Sequence, residues 1–291
     1  MLARSATRIV ALGLLLTVAA PPARAASPWI SRNQSGGIAL EYLRPSIETI
    51  DARALIGAAF LSAWSPPHRG VAFEFEVPFA WQDYRPRTTT LYGNAIFPSP
   101  DGSTIFGYPP TSHTFGNPYL GVRSVPETGP VSFEAGIRLP LAQQNEYVAR
   151  ATAGFADATR WEAFSDHLFC ARTAVNLGIA AGSRLRHDVQ LGSILSFDTG
   201  HSREQDPEVN AVYSWRVGYA GDAVRVGAGI AGRLELSGGV GNLGARSHDQ
   251  LEFHADGCRG AVHPGLDLHV PLGGWGSQAP LVLGGSITVT P

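Results

Sequence analysis

The chain has 291 residues, with 34 glycines, 21 prolines and two cysteines and no low-complexity run. That composition fits one domain of many strands and turns rather than a disordered or long-helical chain. Every basic residue is an arginine and the net charge is −2, so there is no basic patch for nucleic acid. Beyond the amino terminus no segment has the ~18 uninterrupted apolar residues of a membrane helix.

Met1 to Ala25 reads as a secretion signal. Arg4 and Arg8 supply the positive start, Ile9–Ala20 the apolar run, and Ala23-Arg24-Ala25 a small-x-small cleavage site before Ala26. Removing it takes away three arginines and no acid, which moves the charge from −2 to −5. Residues 26–291 then form a single domain.

After a polar lead-in, Ile38, Leu40 and Tyr42 alternate with Ala39, Glu41 and Leu43 as a first strand. Ala54–Trp64 is more evenly apolar and fits either a strand or a short buried helix. Val71, Phe73, Phe75 and Val77 alternate with Ala72, Glu74 and Glu76, and Trp81 and Tyr84 follow where an interfacial aromatic girdle would sit. Gln82–Thr114 alternates little and far exceeds ordinary loop length. Gly116–Leu141 is a hairpin: Pro118–Ser124 turns at Pro126–Pro130 into a second strand. In that strand Val131, Phe133, Ala135, Ile137 and Leu139 oppose Ser132, Glu134, Gly136 and Arg138.

Gln143–Leu168 is a second long excursion with room for an amphipathic helix. Thr173–Ala181 and Asp188–Phe197 form a hairpin turning at 182–186. Tyr213, Trp215, Val217 and Tyr219 point opposite to Ser214, Arg216 and Gly218. After Gly221-Asp222, Val224, Val226, Ala228, Ile230 and Leu234 oppose Arg225, Gly227, Gly229, Arg233 and Glu235. Leu251 and Phe253 alternate with Glu252 and His254. Val262, Leu266, Leu268 and Val270 alternate with His263, Asp267 and His269, and Leu281–Thr290 is the last strand.

These make about twelve strands, an even number as in bacterial barrels. With the amino end periplasmic, the links near 65–70, 125–130, 182–186, 221–222 and 256–260 share one side and are short. Those at 81–115, 142–172, 200–209 and 237–249 share the other side and are long, and 272–280 joins them. A soluble sandwich has no reason to segregate loop lengths. The fold expected is therefore all-β: a single antiparallel transmembrane barrel of about twelve strands. Its polar faces would line the lumen through Glu41, Glu74, Glu76, Glu134, Arg138, Arg216, Arg225, Arg233, Glu235, Glu252, His254, His263, Asp267 and His269.

Gly116–Arg123 (GNPYLGVR), Gly136–Ala142 (GIRLPLA) and Val262–Leu272 (VHPGLDLHVPL) carry a resemblance. The chain resembles outer-membrane proteins of the meta-pathway phenol-degradation type. That resemblance implies an outer-membrane barrel that transports small hydrophobic molecules, surrounded by outer-membrane lipid and folded by the barrel-assembly machinery. Such barrels usually finish on an aromatic residue. Here Gly284, Ile287 and Val289 keep the glycine-and-apolar spacing, but the chain ends Thr290-Pro291.

Candidate chemistry is sparse. Gly227-Ala-Gly229-Ile-Ala-Gly232 matches GxGxxG but lies inside an alternating strand with no helix after it, so small inward residues explain it better than a nucleotide site. His201-Ser202 suggests a rim lipid hydrolase, although adjacent strand residues point to opposite faces and the flanking acids fit a solvated loop. His254, His263 and His269 share an inward face; His263 and His269 are too far apart along one strand for a common ion. No metal or cofactor is expected. Cys170 and Cys258 fall at opposite ends of the wall, about 25 Å apart, which excludes a disulfide. Trp81, Tyr84, Tyr92, Phe97, Phe106 and Tyr108 form a candidate mouth loop for an apolar ligand.

The inward charges lean acidic, so two interiors compete: a sealed, salt-bridged bore, or a hydrated path that mildly prefers cations. The function expected is passive transport of small hydrophobic molecules without covalent chemistry. A non-conducting surface barrel is the alternative, and a rim hydrolase a third.

Overall fold

A computed structural model describes residues 36–46, 52–86, 111–126, 129–142, 154–200, 207–237, 246–257, 260–273 and 281–291. Met1–Ala25, read above as a secretion signal, and Tyr92, Phe97, Phe106, Tyr108, His201-Ser202 and Cys258 lie outside them. The alternating stretches fold into β1 (Gly37–Pro45), β2 (Ala52–Trp64), β3 (Val71–Pro86), β4 (Thr111–Phe115), β5 (Tyr119–Ser124), β6 (Val131–Arg138) and β7 (Leu168–Ala181). They continue through β8 (Leu185–Asp198), β9 (Glu208–Ala220), β10 (Val224–Glu235), β11 (Ser247–Gly257), β12 (Val262–Pro271) and β13 (Val282–Val289).

Neighbours in sequence pair antiparallel, and β1 pairs with β13 to close the sheet on itself. β4 and β5 both pair with β3, opposite Phe79–Asp83 and Val71–Glu76 respectively. They are two halves of one stave, so the barrel has twelve. Closure removes the free edges that an open sheet of this length would expose.

The ambiguous stretch at 54–64 is a strand. The expected long link at 81–115 is shorter at both ends than the sequence suggests: β3 continues to Pro86 and β4 begins at Thr111. Trp81 therefore belongs to the wall, on its outer face, where its ring stacks on Tyr42 at 5.1 Å. Tyr84 lies in the same strand, so neither residue belongs to a mouth loop. Beside Trp81, Phe79 packs edge-on against Phe115.

The tight links gather at the end where β1 begins and β13 finishes. At the first of them Arg69 (φ 52°) and Gly70 (φ 77°) both take left-handed backbone, the two-residue reversal that matches strand twist. The outer face is apolar: Leu266 is 70% exposed, Phe73 64%, Leu191 63% and Phe133 59%. Only lipid makes so continuous an apolar surface stable.

Candidate functional site

Between β4 and β5 the wall opens for an insertion. Gly116-Asn117-Pro118 leaves the ladder, and a short 3-10 segment kinked at Arg160, Ala158–Phe164, reaches across the bore to meet it. The helix comes from the excursion between β6 and β7. Asp157 caps its start, accepting from the Thr159 backbone NH at 2.8 Å and the Thr159 hydroxyl at 2.7 Å.

Asn117 is the clasp. Its Nδ2 donates to the carbonyls of Glu162 (3.0 Å) and Ser165 (2.5 Å), while its Oδ1 accepts from Ala142 N (2.8 Å). Its own backbone NH donates to Ala163 O at 2.6 Å. A Cβ on Gly116 would lie 2.2 Å from Ala163 O, so glycine is what lets the two backbones meet.

One side of the inserted segment is apolar. Ala156, Ala163 and Phe164 pack with Leu43, Ala58, Phe60, Ala80 and Val282 of β1–β3 and β13. The other side is charged. Arg160 lies 3.7 Å above the Phe60 ring and reaches Glu41 (2.6 Å), Asp157 (2.7 Å) and Glu76 (3.4 Å). Glu162 receives Arg138 at 3.2 Å, with Arg233 at 3.9 Å, and Arg138 also donates to Glu76 at 2.7 Å. Burial pushes the Asp157 carboxyl up, but Arg160, His269 and the two Thr159 hydrogen bonds outweigh it and hold it below the usual carboxylate range.

Towards the turn end lies a polar cavity of about 150 Å³. Its roof is Asp157, Thr159 and Arg160. Its sides include Glu41, Glu76, Glu134, Arg138, Arg216, Glu252, His254, Asp267 and His269, all inward residues by strand parity. Glu74 pairs with Arg123 (3.0 Å), Arg216 with Glu252 (2.6 Å), and Arg225 with Asp256. His254 bridges Asp267 (2.6 Å) and Asp256 (3.2 Å). His263 lies against Gly257 O and Thr290, His269 against Ala156 O, and Glu235 is half-buried near the loop end of β10. The three histidines thus have separate partners, and among the described residues no group of acids, histidines and cysteines gathers as for a metal. The Cys170 thiol sits 3.4 Å from the Ser196 hydroxyl and forms no disulfide among the described residues.

Four charged lining residues escape the strand pattern read from sequence: Arg123, Arg172, Arg186 and Asp188. With them the interior sorts by side. From β5 to β10 the inward charges are mainly arginines, relieved by Glu134, Asp188 and Glu235. From β11 through β13 and round to β3, every described inward charge other than histidine is acidic: Glu252, Asp256, Asp267, Glu41, Glu74 and Glu76. The acidic excess is therefore not a uniform lining but one wall facing a basic one. The GxGxxG glycines sit within β10, where a Cβ on Gly229 would lie 2.6 Å from Trp215 O.

No family model and no curated protein sequence matches this chain. Among solved structures it is similar to an outer-membrane channel from Pseudomonas putida F1, at 12% identity and a TM-score of 0.58, over 92% of this chain and 99% of that one. It is also similar to LpxR from Salmonella typhimurium, at 10% identity and a TM-score of 0.53, over 88% and 100% of the two chains. At these identities the likeness is one of fold. The chain is a closed twelve-stave antiparallel β-barrel of the outer-membrane type, crossed inside by a segment of its own loop.

Proposed function

We propose that the protein is an outer-membrane channel for the passive passage of small molecules, working without covalent chemistry. The observation that carries this reading is the charged cavity beneath a segment held mainly by side chains: a bore meant only to be filled needs no such space. The fold shared with an outer-membrane channel and the resemblance to the meta-pathway phenol-degradation type both support it. A hydrophobic cargo, as that resemblance implies, would be poorly served by the arginines and carboxylates that line the cavity. The interior favours polar solutes.

The insertion itself favours a second reading, a non-conducting structural barrel. Single-channel recording separates the two. The refolded chain in a planar bilayer is expected to give small discrete steps, and Asn117→Ala, which unfastens Ala158–Phe164, larger ones. Silence from both proteins, each shown folded by its heat-shifted gel mobility, would reject the channel.

A further inference from the structure

We propose that the cavity beneath Ala158–Phe164 binds small zwitterions, molecules carrying a carboxylate and an ammonium group on one short skeleton. For the solute's passage this rests on the channel reading; for its binding it does not. The two charged walls face each other across one cavity, and near the middle of each is a group whose hydrogen-bonding capacity is unfilled. On the basic wall the Arg172 Nε is buried without a hydrogen bond, with Glu134 at 3.6 Å and other partners no nearer than 3.2 Å. On the acidic wall the Asp267 side chain is 7% exposed; its Oδ1 meets His254, while its Oδ2 has no hydrogen-bond partner among the described residues. β7 and β12 stand five places apart in the closed order of twelve, nearly diametric.

A buried, unfilled donor or acceptor costs free energy until a ligand completes it. A lone anion satisfies Arg172 but faces Glu41 and Asp267, and a lone cation satisfies Asp267 but faces the arginines. Both charges on one molecule satisfy both walls, and their fields act strongly in a narrow, low-dielectric space. At about 150 Å³ the cavity suits a small amino acid, well below the roughly 300–1,000 Å³ of drug-sized pockets.

Calorimetry on the refolded full chain tests this with β-alanine, propionate and propylammonium, three probes of matched size. β-Alanine is expected to bind about tenfold or more tighter than either ion. Asp267→Asn should erase its advantage over propionate, and Arg172→Gln its advantage over propylammonium. Equal binding of the three probes, tighter binding of one ion, or no binding would overturn the proposal. So would variants that weaken all probes alike, as a merely structural role predicts. Liposome swelling with the same solutes and with glycerol reads the channel separately. Swelling without a β-alanine preference in binding leaves the channel and removes the zwitterion site. Preferential binding without swelling by any solute does the reverse.

Discussion

Each stave of the wall is tied to two neighbours by a backbone ladder that does not depend on which side chains it carries, as in the fourteen-residue pairing of β7 with β8. Ala158–Phe164 is held differently. Its attachments are Asn117, the arginines Arg138, Arg160, Arg172 and Arg233, Gln250 and a small apolar cluster. The wall therefore spreads its stability over many equivalent bonds, whereas the segment concentrates it in a few side chains. Single substitutions should separate the two.

The sharpest separation is expected at Arg160. Arg160→Ala leaves Glu41, Glu76 and Asp157 around an empty place, and removing one partner from a buried ionic cluster costs about 3–5 kcal/mol. That loss falls on the segment and not on the ladder. Single-channel conductance should rise and limited proteolysis should cut between β6 and β7, while the heat-shifted mobility of the barrel persists. Unchanged conductance and protection would mean that the apolar side alone holds the segment.

The converse substitution lies on the outer face. Leu191 is at the middle of β8 and 63% exposed. Leu191→Arg there should destabilise the barrel by about 2–4 kcal/mol, the cost of a lipid-facing arginine at mid-membrane. Denaturant unfolding in vesicles reads this, and the conductance of the folded fraction should not change. A neutral effect would put Leu191 in water and contradict the lipid-facing wall.

The same contrast decides what could be read from sequence. Period-two alternation with one apolar face is a direct imprint of a wall between lipid and lumen, so strand count and closure follow from it. Strand ends were less legible. Arg186 and Asp256 look like turn residues because they bound the glycine-containing links at 182–186 and 256–260, yet in a polar-lined barrel inward parity simply continues through them. Arg123 and Arg172 lie in strands too short or too mixed to show their phase. Missing them hid the division into a basic and an acidic wall. The inserted segment was the least legible. Asp157 before Ala-Thr-Arg signals a helix start, but its docking at Gly116-Asn117 depends on a break in another stave more than 40 residues away, which no local pattern records.

The smallest expected effect concerns pH and isolates one bond of the segment. Asp157 has its carboxyl held below the ordinary value of 3.8 by Arg160, His269 and Thr159. A group whose pKa is lowered on folding contributes stability that is fully present above its unfolded value and is lost as pH falls through the folded one. Above pH 5 its share should therefore be constant. Comparing the parent with Asp157→Asn in proteolytic protection of the loop should show a gap that does not change from pH 8 to 5 and narrows only in stronger acid. Glu41, Glu76, Glu252 and His269 stand around the same segment in both proteins. A gap that already closes between pH 7 and 5 would mean that Asp157 takes up its proton early, and that Arg160 is anchored by Glu41 and Glu76 instead.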